Sequence, residues 1–280
     1  MNLTLFRATY FQSRRMNLVS RLFPRRSLRF FRARSARIAD EFYFSSLSKL
    51  NIGCLLECGA HEGTASTRFV AEGGSAVAIE ANPTTFRYKT SLIESKGVKV
   101  LNVGLGAKDS ELRFYIPKNN PMAGNATFQP KETEEYDQKT IEVTTIDNLV
   151  RQYSLISDSP LTLWIDVEGF SRDVLNGARS TLANSSCQLV KIEVEDFPFF
   201  EGQALANEIT DFLQGLNLEV AFFDYEYENQ YNIVLAKHDV IDKLSGDIFK
   251  YNNQMMSDEF GFYELLKGLI SSLFRKLKVD

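Results

Sequence analysis

The sequence predicts an α/β fold: a mostly parallel sheet that closes on an antiparallel strand, with helices on both faces. Three observations carry that expectation. Short runs rich in Val, Ile and Leu recur with helix-compatible segments between them, as strands covered on both faces do. Several of these runs stop abruptly on a carboxylate beside a glycine or proline turn, as Leu161-Thr162-Leu163-Trp164-Ile165-Asp166-Val167-Glu168-Gly169 does. The last two runs are joined only by residues 224–230, long enough for a hairpin and too short for a parallel crossover.

Taken in order, residues 36–50 have the apolar spacing of a helix, and Gly53 marks the turn into a first strand at 54–58. A helix follows from about Thr64 to Glu72, its end flagged by Gly73-Gly74. Strand 75–80 leads to a helix that starts on Pro83, whose fixed φ suits a first turn, and ends before Gly97. Strand 98–103 completes a βαβαβ unit. The middle is less regular: 111–116 alternates like a strand, 117–130 is a loop rich in Asn, Gly and Pro, and 131–139 is a charged stretch without periodicity. Within the loop, 119–127 reads either as a substrate lid or as a plain surface connection. Strand 140–144, a short helix near 146–153, strand 161–166, a helix over 171–183, strand 188–195, a helix near 204–213 and strands 218–223 and 231–236 complete the pattern. Beyond residue 240 it thins, until 264–278 shows apolar pairs at helical spacing with basic residues between them.

A chain of 280 residues with 44% hydrophobic content can bury a full core. The expected organisation is an Arg-rich arm and helical extension over 1–50, one domain over 51–240, and an amphipathic C-terminal extension over 241–280. No apolar run of about 18 residues is present, so nothing spans a membrane by itself. Cys54, Cys58 and Cys187 lack close C-x-x-C spacing and read as packing residues in a reducing, cytoplasmic setting. The net charge of −4 hides an asymmetry: residues 1–39 hold ten arginines and no acid, leaving −14 on the remainder. Such an arm suits an anionic partner, with no specific nucleic acid expected, and its interleaved aromatic and aliphatic residues favour a membrane-surface helix over a plain solvated tail. A transit peptide, or a helix packed on the domain or on a second copy of the chain, accounts for the same residues. The C-terminal segment offers a second peripheral membrane contact or a docked helix.

The strand ends carry the chemistry. A nucleoside ligand needs a turn that lets it approach the backbone and a carboxylate for the ribose hydroxyls. Gly59 and Gly63 supply the turn, and Glu80, 21 residues after Gly59, supplies the carboxylate. His61 and Thr64 stand where a dinucleotide fingerprint has glycines, so a ligand with ribose and no phosphate fits better. Glu57 either accepts from a ligand ammonium or caps the loop. Glu193 lies between Ile192 and Val194, where a charge is costly unless paired or used. Glu168 and Glu193, beside Asp166, are therefore the candidate bases; the alternative has Glu168 capping a helix and Glu193 accepting backbone bonds. His61 reads as a polar loop residue beside the ligand. Asp166, Glu168 and Glu193 have the oxygens Mg²⁺ uses, but without His or further acid spacing no metal is expected. Hydrolase chemistry is unsupported, since no nucleophile elbow or Ser-His-Asp order appears.

These residues resemble the FkbM-type S-adenosylmethionine-dependent methyltransferases. The resemblance spans about 52–237. It rests on Leu56-Glu57-Cys58-Gly59-Ala60-His61-Glu62-Gly63, Ala78-Ile79-Glu80-Ala81-Asn82-Pro83, Asn102-Val103-Gly104-Leu105-Gly106 and Val143-Thr144-Thr145-Ile146-Asp147. Its most specific part is Ile165-Asp166-Val167-Glu168-Gly169 followed by Val174-Leu175-Asn176-Gly177-Ala178. It implies a Rossmann-like sheet of seven strands, mostly parallel with an antiparallel last strand. It also implies methyl transfer from S-adenosylmethionine to a hydroxyl on a sugar, glycan or small metabolite. Carried over by position, Gly59, Ala60 and Gly63 line the methionine side of the cofactor, Glu80 holds its ribose, and Asn102 and Val103 lie near the adenine. Asp166 stands at the methyl-transfer centre, and Glu57, His61 and Asn82 join the cofactor-binding set. Three departures stand out: Glu57 replaces the usual Asp, Trp164 replaces a common Lys, and Ser171 replaces an acid. The competing readings are an NAD-dependent oxidoreductase, opposed by His61, Thr64 and the closing hairpin, and a non-catalytic scaffold that keeps the fold.

Overall fold

The computed structural model describes residues 24–122, 124–130, 135–155, 160–200, 202–224 and 229–256. The chain begins with α1 (Pro24–Leu50), β1 (Cys54–Cys58), α2 (Thr64–Ala71), β2 (Ser75–Ile79), α3 (Pro83–Glu94), β3 (Lys99–Leu101) and β4 (Gly104–Leu105). It continues through β5 (Ser110–Pro117), β6 (Tyr136–Thr144), α4 (Ile146–Gln152), β7 (Leu161–Ile165), α5 (Ser171–Asn176) and α6 (Arg179–Ala183). It closes with β8 (Cys187–Glu195), α7 (Ala206–Gln214), β9 (Leu218–Phe223), β10 (Gln230–Lys237) and α8 (His238–Met256).

Seven strands join in the order β3-β2-β1-β7-β8-β10-β9, parallel except for β10, which runs antiparallel to both neighbours. All five residues of β1 and almost all of β8 are buried, which is why these strands read as continuous apolar runs. The strand order reverses between β1 and β7, and their carboxyl ends therefore open a crevice at a topological switch point. The register sets which residues share a face. Ala78, Glu57, Trp164, Lys191, Val234 and Phe222 form one row across six strands.

Helix α1 covers that face. Phe42 packs on Phe222 with ring centroids 4.9 Å apart, and Tyr43 meets Trp164 edge-on at 5.3 Å. The Tyr43 hydroxyl is buried between the Thr162 hydroxyl (2.9 Å) and the Leu163 carbonyl (3.1 Å). Helix α8 packs beside α1 through Tyr251, 5.7 Å from Phe42, and buries Val240, Leu244 and Met255 in the same core. The segments expected as extensions, 36–50 and 241–256, thus complete the main core.

The structure departs from the sequence expectations in four places. Helix α1 starts at Pro24, well before residue 36, and runs back into the Arg-rich arm. Strand β6 starts at Tyr136 because β5 pairs with it along its whole length; the charges of that stretch face solvent on a separate three-stranded sheet, β4-β6-β5. The helix expected over 171–183 breaks at Gly177, where a Cβ would sit 2.0 Å from the Gly106 carbonyl oxygen. Helix α8 occupies the stretch after 240 where the pattern thins. Residues 1–23 of the arm and the amphipathic segment 264–278 lie outside the described residues, and no described helix is long and apolar enough to cross a membrane.

Tyr43→Phe removes a buried donor and leaves the Thr162 hydroxyl and the Leu163 carbonyl one partner short, at a cost of about 1–3 kcal/mol. Urea unfolding should show a lower midpoint with an unchanged slope; an unchanged midpoint would mean that α1 is not anchored through this hydroxyl.

Candidate active site

The tips of β1 and β7 touch. Gly59 has φ +81°, and a Cβ there would lie 1.7 Å from the Asp166 carbonyl oxygen, so only glycine fits. The Asp166 N–H donates to the Cys58 carbonyl at 2.9 Å, while Gly59 and Ala60 donate to the Ile79 carbonyl of β2. The turn that results aims the His61 N–H at Glu80 Oε2 (2.7 Å), and the Asn82 N–H meets Glu80 Oε1 at 2.7 Å. Burial pushes the Glu80 carboxyl up from its ordinary value, and these two bonds oppose the shift. A carboxylate has about four lone-pair sites, so two remain for a ligand.

Glu80 and Asp166 line one cleft of about 780 Å³, measured to its open mouth. Gly59, His61, Asn82, Val103 and Glu168 border it too, with an apolar wall of Ile79, Leu105, Phe114 and Phe128. Residues 117–122 and 124–130 form its far side, fastened at three strand ends. Asn82 Nδ2 donates to the Pro121 carbonyl (2.9 Å), His61 Nε2 lies 2.8 Å from the Met122 carbonyl, and the Thr127 hydroxyl donates to the Glu168 carbonyl (2.7 Å). A carbonyl only accepts, so Nε2 carries the proton and that nitrogen is no base. His61 (φ 46°) and Glu168 (φ 40°) are both left-handed, a local cost concentrated at the cleft lip.

The remaining candidates fall into two groups. Glu57 and Ala60 border a second cavity on the far side of the Gly59 turn. The buried Glu57 carboxylate accepts from the Ala65 and Ser66 N–H groups (3.2 and 2.9 Å) at the start of α2, where the helix dipole favours an anion. Gly63 packs against Ile93, and Asn102 braces the turn by donating to the Glu80 carbonyl at 2.7 Å.

Glu193 lies beside Asp166, just outside the cleft lining. One carboxylate oxygen each of Asp166, Glu168 and Glu193 lies within 4.8 Å of the others, a spacing that offers oxygen ligands to a hard cation. Burial, then the like charges of Asp166, Glu168 and Glu195, push the Glu193 carboxyl well up. Burial also raises Asp166, opposed by its hydrogen bond with Glu193 and by the Lys191 and His61 charges. Glu193 is the member that keeps the proton and Asp166 the member that ionises.

Residues 57–227, more than half of the chain, match the Methyltransferase FkbM domain. The chain belongs to the FkbM methyltransferase family. The observed sheet order and the antiparallel β10 are what family membership led one to expect, and the family uses S-adenosylmethionine. Among solved structures, a TehB-like SAM-dependent methyltransferase from Corynebacterium glutamicum is 10% identical, with 66% of this chain and 80% of that one covered at a TM-score of 0.36. The precorrin-6y C5,15-methyltransferase of Geobacter metallireducens is 14% identical over 69% and 84%, TM-score 0.36. The magnesium protoporphyrin IX methyltransferase of Synechocystis is 10% identical over 82% and 94%, TM-score 0.42. No curated protein matches significantly in sequence.

For this FkbM methyltransferase, sequence reasoning missed groups that complete the site from a distance: Phe114 and Phe128 on the cleft wall, and Asp40 and Lys191 beside Trp164. The lone Lys in an apolar strand was a readable signal, because a buried ammonium needs a partner.

A carboxyl whose folded value lies above its unfolded one contributes stability at low pH that is lost as pH rises through the folded value. Glu193 is raised well up, so stability should be lower at about pH 7 than at about pH 5, and Glu193→Gln should lessen that difference and raise the melting temperature at the higher of the two. Thermal unfolding at both values checks this; a variant less stable than the parent at both would overturn the charge assignment.

Proposed function

We propose that the chain is an O-methyltransferase that seats S-adenosylmethionine in the cleft between Glu80 and Asp166 and methylates a hydroxyl of a sugar, glycan or small metabolite. The observation that carries the reading is that these two carboxylates, from β2 and β7, line one cleft with an apolar wall. The fit is that of a nucleoside: Glu80, fixed by two backbone donors, keeps lone pairs for vicinal ribose hydroxyls, and Val103, Phe114 and Phe128 suit a ring.

Bound there, S-adenosylmethionine supplies an electrophilic methyl group. The chain has to orient, exclude water and accept a proton. The Gly59 turn permits close approach of the donor to the backbone. The fastened residues 117–122 and 124–130 close the cleft on one side. Asp166, raised by burial against the opposing pull of its bond with Glu193 and the Lys191 charge, stands where an acceptor hydroxyl would lose its proton, and Glu193 beside it is raised further. In-line displacement leaves little covalent work for the protein, so alignment and dryness are the main contributions.

Titration calorimetry tests the donor assignment: S-adenosylmethionine should bind saturably, Glu80→Ala should weaken it about 10–100-fold, and NAD should not bind. Saturable NAD binding without S-adenosylmethionine binding would overturn the reading.

A further inference from the structure

Two cavities meet at the Gly59 turn and share Gly59, His61 and Asp166. The Glu80 cleft suits the nucleoside of the methyl donor, and the second cavity, about 270 Å³ on the α1 side, continues it past the turn. We infer that two residues no motif marks hold the amino-acid end of S-adenosylmethionine there: Asp40 of α1 accepts from its ammonium, and Arg68 of α2 pairs with its carboxylate. The inference deepens the function proposed above and rests on it.

The nearer acids are already engaged. Glu57, which the sequence offers to a ligand ammonium, has one oxygen on the Ala65 N–H and the other on the Ser66 N–H, and it is almost fully buried. Its charge is met by the start of α2. Glu62 stands at the rim and pairs with Lys89 at 2.7 Å. Asp166 lines both cavities and is hydrogen-bonded with Glu193, at the reacting end of the donor. Asp40 is the acid that remains.

Its surroundings suit the task. Asp40 precedes residue 57, so the matched family span does not place it in the site. Lys191 Nζ donates to its Oδ1 at 2.5 Å; the lysine is almost fully buried in β8, whereas 36% of the Asp40 side chain stays exposed at the cavity wall. An ammonium that deep needs its partner and so fixes where the carboxylate stands. With about four lone-pair sites, that carboxylate has room for a second ammonium.

Arg68 supplies the opposite charge. Its guanidinium lies 3.9 Å over the Phe44 ring, and its Nε donates to Glu72 at 3.1 Å. These contacts hold the fork at the cavity wall. The Glu72 bond engages one of five N–H donors, and the terminal nitrogens keep the paired geometry that a carboxylate takes. Phe44 and Trp164, 6.1 Å apart, add an apolar lining that suits the methylenes between sulfur and α-carbon. Helix α1, outside the matched family span, is thereby part of the donor site.

Calorimetry on the full chain reads the two ends with three ligands that share the nucleoside. Methylthioadenosine has neither charge, decarboxylated S-adenosylhomocysteine keeps the amine alone, and S-adenosylhomocysteine has both. Asp40→Asn should weaken the two amine-bearing ligands about tenfold each and leave methylthioadenosine within about twofold. Arg68→Gln should weaken S-adenosylhomocysteine about tenfold and leave the other two within about twofold. Asp40→Asn strands the Lys191 ammonium, so the double variant Asp40→Asn with Lys191→Met, which removes that ammonium as well, is titrated beside it and should give the same pattern. If the double variant holds S-adenosylhomocysteine within about twofold of the parent, or loses methylthioadenosine to the same degree, the Asp40 assignment is overturned. If Arg68→Gln weakens the decarboxylated ligand as much as S-adenosylhomocysteine, or weakens neither, the Arg68 assignment is overturned. In each case the methyltransferase reading stands, because the parent still binds S-adenosylhomocysteine. Failure of the parent to bind S-adenosylhomocysteine or methylthioadenosine overturns the donor assignment and this one with it.

Discussion

Everything at the lip of the sheet depends on how closely β1 and β7 approach. Only a hydrogen atom fits between the Gly59 α-carbon and the Asp166 carbonyl, and that contact forces the chain into a left-handed turn as it leaves β1. The turn delivers two N–H groups to the Ile79 carbonyl and a third to the Glu80 carboxylate. The position of Glu80 at the end of β2 is thus set by a backbone contact between two other strands. A larger residue at 59 would disturb Asp166, the turn and Glu80 together.

The same geometry creates an electrostatic problem and distributes its solution. Parallel strands that end together bring Glu57, Glu80, Asp166 and Glu193 to one side of the sheet, where burial disfavours each charge. Glu57 is offset by the N-terminus of α2 and Glu80 by two backbone donors. Asp166 relies on a shared proton and on Lys191. The carboxylates with the best local hydrogen bonding are thus those suited to binding, and the pair without backbone donors among its offsets is the one suited to proton transfer.

The fold was largely legible because its strands are short, apolar and punctuated: Gly73-Gly74, Pro83 and Gly97 mark boundaries that the structure places within about two residues. Where the reading failed, a non-local cause was at work. Tyr136–Thr144 looks like a charged loop from its first half, yet becomes a strand because β5 offers a full ladder. Gly177 ends a helix because Gly106, seventy-odd residues away, crosses it. The candidate acids were legible from their place at the ends of apolar runs. That Glu57 faces α2 while Glu80 faces the cleft was not, since both follow the same local pattern and differ only in which backbone donors the tertiary fold brings to them.

Trp164 shows how such a local difference can be resolved one strand away. By resemblance to the family a lysine is common at this position, and on β7 alone its absence looks like a loss of function. The register pairs Trp164 with Lys191 on β8, on the same face of the sheet and one row below Asp166. The ammonium rests on the indole ring and reaches Asp40, and its charge still acts on Asp166. Lys191 thus places a cation within the width of one strand, about 5 Å, of the row that Asp166 ends, and Trp164 gives the neighbouring cavity an aromatic surface.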